Sequence, residues 1–191
     1  MNQEQLAVKL AQMKDLSEMM VDLAYSSLLY GSEEIADHVL EMEKLIDKLH
    51  TEFELTILEL RETRPAKGLL GLIRLALATE KLADAGTIMA CIVKRGARAH
   101  PVMRRAMEQA EETIIATEIA QDSVLIGKNL GEIGLEDDIG MRIIAVRRGE
   151  DWTYNPSDAF VINLGDLIIA RGYAEGRERL LILANPMHTH E

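Results

Sequence analysis

The sequence predicts an α+β chain: an antiparallel all-α helical bundle over residues 1–118, then a small α+β domain with a β-meander over residues 119–191. Three observations carry that reading. Apolar side chains recur every three or four positions through the first two thirds of the chain, and no strand alternation precedes Ser123. Short β-branched and aromatic runs, cut by Gly, Pro and Asn, then fill residues 140–174. Aromatic residues are only 4% of the chain while Met occurs 10 times, a mix suited to helix-on-helix packing.

Leu6, Leu10, Met13, Leu16, Met20 and Leu23 form the stripe of a first amphipathic helix. Gly31 ends it, and Ser32 followed by Glu33 and Glu34 starts the next, with a capping hydroxyl and acids at the positive end of the helix dipole. A second stripe, from Ile35 through Val39, Met42, Leu45, Phe53 and Ile57, continues to about residue 63, where Arg64 before Pro65 leaves helical geometry. The third helix, residues 67–95, is apolar on nearly every side and is expected at the centre of the bundle. Gly96 closes it. Pro101 suits the first turn of a fourth helix, expected to reach about Ala120 through Met103, Met107, Ala110 and Ile114. Farther on, residues 141–146 read as a strand, 147–151 as a turn, 152–154 as a returning strand, 167–172 as a further strand and 175–183 as a short helix.

A net charge of −11 argues against a nucleic-acid surface, which needs a dominant basic face. The basic cluster Lys94, Arg95, Arg98, His100, Arg104 and Arg105 fits either helix-end electrostatics or contact with an acidic partner. No run approaches the roughly 20 apolar residues of a membrane span; residues 69–93 carry Arg74, Glu80, Lys81 and Asp84. The amino terminus lacks the pattern of a secretion signal, so a cytoplasmic protein is expected. The single cysteine, Cys91, fits a reducing compartment and reads as a small core residue. His188 and His190 read as tail residues. Gly127, Gly131 and Gly134 lack dinucleotide-loop spacing, no nucleophilic constellation is present, and an enzyme is not expected.

Three carboxylate pairs stand at helical i, i+4 spacing: Glu18 with Asp22, Glu43 with Asp47, and Glu80 with Asp84. Glu18 and Asp22 lie opposite the apolar stripe and read as solvated. Glu80 and Asp84 occupy a helix with almost no polar side, so basic neighbours, protons or a metal must compensate them. With these motifs the helical part, residues 5–115, resembles the PhoU family, whose helices carry Glu/Asp-x-x-x-Asp motifs that hold metal ions. One repeat is present where the family usually has two, and Ala85-Gly86 stand where it usually has His or Asn. The resemblance implies a divalent metal in the helical domain, with Glu80, Asp84, Glu43 and Asp47 as candidate ligands.

Residues 120–185 resemble the TrkA C-terminal domain, the C-terminal lobe of the RCK unit. The motifs are an opening strand from Ser123, a Gly127-Lys128-Asn129-Leu130 turn, the Ala145-Val146-Arg147-Arg148-Gly149 strand end, and Gly165-Asp166-Leu167-Ile168-Ile169-Ala170-Arg171-Gly172. That resemblance implies a homodimer binding a cyclic dinucleotide or a cation, and regulating a membrane cation channel or transporter. Arg147, Arg148, Asn155 and Pro156, flanked by Ile143 and Ile144, are the candidate ligand contacts. Arg147 and Arg148 have the alternative of balancing Glu150, Asp151 and Asp158 at the surface. The implied function is that of an accessory subunit of potassium or other cation transport. A PhoU-type metal-binding regulator of phosphate transport and a dimeric scaffold without ligand are the rivals.

Overall fold

The computed structural model describes residues 3–62, 65–97 and 99–186; Arg64, Arg98, His188 and His190 lie outside them. The chain forms two compact units, Met1–Ala99 and His100–Glu191.

The first unit is built from three long helices, α1 (Gln3–Tyr30), α2 (Glu33–Glu59) and α3 (Ala66–Lys94). Gly31, at φ 65°, turns the chain out of α1. The Ser32 hydroxyl then accepts the Ile35 amide at 3.3 Å, capping α2 as its sequence implied. Met13, Phe53, Ile57, Leu69 and Ala76 form one apolar cluster of the core. The buried side of α3 is made of small residues, Ala76, Ala83, Gly86 and Ala90 among them. A Cβ on Gly86 would stand 3.2 Å from the Met20 carbonyl oxygen, so glycine sets how closely α1 and α3 approach.

The expectation that α3 lies at the centre of the bundle is not met. One side is buried, and Leu70, Leu75, Leu77, Leu82, Ile88 and Ile92 on the other are 39–63% exposed. Three helices can cover only one side of each.

The second unit opens with α4 (Pro101–Glu108), capped by the His100 side chain, whose Nδ1 accepts the Val102 amide at 3.2 Å. The fourth helix therefore ends well before Ala120. Glu112–Glu118 is instead a strand, β1, with Thr113, Ile115 and Thr117 turned inward. Four β-branched residues among the five at 113–117 favour extended backbone over the helical period that Met103, Met107 and Ile114 also satisfy. The segment 100–118 thus joins the second unit, whereas the sequence placed it with the bundle.

Short helices α5 (Leu130–Ile133) and α6 (Leu135–Ile139) follow, then strands β2 (Met141–Arg148), β3 (Asp151–Tyr154) and β4 (Leu167–Tyr173), and helix α7 (Ala174–Ala184). All pairings are antiparallel in the order β1-β4-β2-β3. Only β2 and β3 are meander neighbours; β4 returns on the far side of β2. The turn and short helix read from residues 127–133 are present, with Asn129 and Glu132 closing a capping box. Residues 124–127 form a turn where the opening strand was expected, and β1 supplies that strand. Ser123 hydrogen-bonds the Leu183 carbonyl at 2.8 Å. Ile115, Met141, Ile143, Val146 and Ile168 on the sheet pack with Leu135, Ile139, Ile162 and Leu180 in one core.

Candidate functional site

The site is built where β2 begins and the chain leaves β3. Pairing between β2 and β4 shifts register between Ile143 and Ala145, leaving Ile144 as the extra residue of a bulge. Its carbonyl accepts the Asn155 amide at 2.8 Å. Asn155 sits at φ 45° and is the only non-glycine residue with positive φ among those described. Asparagine tolerates this conformation better than most residues, and local strain of this kind recurs at ligand sites. Asn155 Oδ1 accepts a hydrogen bond from Arg142 Nη2 at 3.1 Å, which steadies a guanidinium that otherwise projects to solvent.

Beside this pair lies a cavity of about 380 Å³, within the size range of small-ligand sites. Leu130, Leu135, Ile143 and Pro156 supply apolar wall, while Arg142, Glu136, Asp137 and Asp158 supply charge. A smaller hollow of about 180 Å³ shares Arg142 and Glu136 and adds Arg171 and Tyr173. Arg142 therefore borders both. Chemically, a steadied guanidinium can take a phosphate or carboxylate through two parallel hydrogen bonds. The acids around it can accept from amino groups of the same ligand.

Of the residues singled out from sequence, Pro156 and Ile143 line the cavity and Asn155 orients Arg142. Ile144 is buried and contributes its backbone carbonyl. Arg147 and Arg148 are not among the lining residues. Hairpin register sets Arg147 opposite Trp152, and its guanidinium lies 5.8 Å from that ring's centre. Trp152 in turn stacks on Tyr154 at 5.7 Å.

Arg148 balances a carboxylate, though not one of the surface acids. Its Nε and Nη2 each donate to Asp166 at 2.8 Å, and Nη2 also donates to the Val161 carbonyl at 2.8 Å. Asp166 is fully buried and also accepts the Asn163 amide at 2.8 Å. Burial by itself pushes this carboxyl up. The Arg148 fork, the amide and the guanidinium charge outweigh it and hold the carboxyl below the usual aspartate value. This pair pins the crossing from β3 to β4, so Arg148 acts as a structural clasp. The sequence signal that finds Arg142 is strand alternation: between core residues Met141 and Ile143 it must point outward.

In the helical unit the carboxylate pairs do not converge on a common ion. Glu80 is half-buried with Oε2 3.2 Å from His50 Nδ1, and Asp84 is exposed. His50, buried on α2, is thus the partner that Glu80 required. Glu43 is half-buried and Asp47 exposed. Among the described residues no group of three or more His, Cys, Asp or Glu is arranged to hold a metal ion. In the basic cluster, Lys94 is engaged by Asp37 at 2.9 Å and Glu33 at 3.2 Å.

Residues 10–93 match the PhoU domain family model, and residues 114–183 match that of the TrkA-C domain. The chain thus carries a helical region that matches the PhoU domain family followed by a region that matches the TrkA-C domain family. No curated protein matches it. Among solved structures, the RCK_C domain dimer of S. agalactiae BusR in complex with c-di-AMP is 25% identical, covering 38% of this chain and 96% of that one, with a TM-score of 0.36. The RCK C domain of the potassium transport protein KtrA, in complex with cyclic diadenosine monophosphate, is 20% identical, covering 41% and 91%, with a TM-score of 0.34. S. agalactiae BusR in complex with promoter DNA is 16% identical, covering 97% and 98%, with a TM-score of 0.37.

Proposed function

We propose that this protein is a regulatory subunit of potassium or other cation transport whose TrkA-C lobe senses a small anionic ligand beside Arg142. The observation that carries the reading is Asn155, held at positive φ and hydrogen-bonded to Arg142 at the edge of a cavity that Pro156 and Ile143 also line. Cyclic di-AMP is the first candidate. The resemblance of the lobe to TrkA-C domains implies a cyclic dinucleotide, its phosphates suit Arg142, and its adenine amino groups suit Glu136, Asp137 and Asp158. A divalent cation fits less well, because no three acids or histidines converge among the described residues. The protein acts as a cytoplasmic homodimer, and ligand occupancy alters contacts with a membrane partner that supplies the conducting path. No helix among the described residues is long and apolar enough to cross a membrane.

Calorimetric titration of the full chain with cyclic di-AMP, ATP and calcium tests the assignment. Saturable cyclic di-AMP binding is expected, weakened tenfold or more by Arg142→Ala and by Asn155→Ala, where tenfold corresponds to about 1.4 kcal/mol. Silence toward every ligand, or undiminished binding by both variants, contradicts it.

A further inference from the structure

We infer that Arg171 is a second ligand contact of the lobe: with Arg142 it clamps one phosphate in the smaller hollow, and the ligand carrying that phosphate extends into the larger cavity. The inference rests on the reading of the lobe as a ligand sensor. Register brings the two arginines together. Arg142 on β2 and Arg171 on β4 are direct partners in the antiparallel ladder, so their side chains leave the same face of the sheet as cross-strand neighbours. Both line the hollow of about 180 Å³. Like charges set directly opposite one another across a ladder are destabilising. An anion between them turns that repulsion into two attractions, and a guanidinium can give a phosphate two parallel hydrogen bonds. Arg142 Nη2 donates to Asn155 Oδ1 at 3.1 Å, which leaves other N–H donors of that guanidinium for the ligand.

The hollow suits part of a ligand better than a free ion. Tyr173 walls it on one side. A Cβ on Gly140 would stand 2.9 Å from Tyr173 Cδ2, so glycine there lets the ring lie against bare backbone. Glu112, the ladder partner of Tyr173, and Glu136 also line the hollow. Two carboxylates beside two guanidiniums leave the lining without net charge, so a bare anion gains little from the hollow as a whole. A ligand with amino groups as well as phosphate satisfies both signs. Arg142 and Glu136 line the cavity of about 380 Å³ too, so the two hollows adjoin at these residues. A nucleotide therefore sets its phosphate between Arg142 and Arg171 and its base against the apolar wall of the larger cavity.

Calorimetric titration of the full chain with cyclic di-AMP tests the clamp in wild type, Arg171→Ala, Arg142→Ala and the double variant, each checked for an unchanged thermal transition. Arg171→Ala is expected to weaken binding about tenfold or more. Arg171→Lys, which keeps the charge but not the planar fork, should lose less and replaces the alanine variant if that one unfolds. Because both side chains hold one phosphate, their losses are coupled, and the double variant is expected to lose less than the product of the two single losses. Undiminished binding by the Arg171 variant, or a double loss equal to that product, overturns the inference. Inorganic phosphate titrated alone is expected to bind roughly a hundredfold more weakly than cyclic di-AMP; equal affinity assigns the hollow to the free ion and overturns it as well. Wild type silent toward cyclic di-AMP overturns the sensor reading along with the clamp, whereas wild-type binding that the Arg171 variant leaves unchanged overturns the clamp alone.

Discussion

Arg148 and Asp166 lie 18 residues apart in sequence and meet through two hydrogen bonds of 2.8 Å, so one side chain fixes the return path from β3 to β4. Arg148→Ala strands a fully buried carboxylate. The expected loss is about 3 kcal/mol, at the low end for a broken buried pair because Arg148 itself is half-exposed. Denaturant unfolding measures it, and adding Asp166→Asn to Arg148→Ala should recover part of the loss, since no charge is then left buried. The same pair sets a pH dependence. An unfolded aspartate titrates near 3.8, and the folded value is lower. The stabilisation is therefore complete above that value and is lost as pH falls through the folded one. The stability gap between wild type and Asp166→Asn should be constant above about pH 5 and shrink below pH 4. At this scale sequence was a partial guide. Of the residues singled out from sequence, Pro156 and Ile143 line the cavity and Asn155 bonds Arg142, a cavity residue that the sequence reading did not name beside Arg147 and Arg148. Hairpin register sets Arg147 against Trp152, whereas Arg142 points outward by strand alternation between the core residues Met141 and Ile143, a signal present in the sequence.

Elements were legible where one period dominated. The caps of α2, the strands β2 and β4 and the helix α7 follow from Ser32, from β-branched runs and from the glycine that closes β4. The strand β1 was hidden because Ile114 and Ile115 satisfy a helical period continued from Met103 and Met107, and only pairing with β4 separates the two. Helix α3 misled in another way: apolarity all round reads as central burial, yet a bundle of three helices leaves one flank of α3 bare. Within the lobe, α7 packs against the end of α6 so closely that a Cβ on Gly176 would stand 2.1 Å from the Ile139 carbonyl oxygen. Gly176→Ala must push the two helices apart. It is expected to cost about 1–3 kcal/mol in thermal or denaturant unfolding, although the same change at an unconstrained helical site stabilises. Stability equal to wild type would show that this contact is looser than described.

The two units differ in what they offer: the lobe carries the cavity, and the bundle a bare flank on α3. Sequence distinguished the two folds because helical and strand periods occupy different parts of the chain, but it drew the boundary too late by assigning the segment containing β1 to the bundle. Metal binding by the carboxylate pairs was also less determinate than their spacing suggested, since His50 on a separate helix answers Glu80. If the lobe binds cyclic di-AMP, a ligand concentration 100 times its dissociation constant should stabilise the folded lobe by about 2.7 kcal/mol, read as an upward shift of its thermal transition. The central claim is where that ligand binds, and amide hydrogen exchange with and without cyclic di-AMP tests it most directly. Protection is predicted in residues 130–137, 141–143 and 155–158. Unchanged exchange throughout those segments under saturating ligand, or protection confined to residues 3–94, would contradict the account.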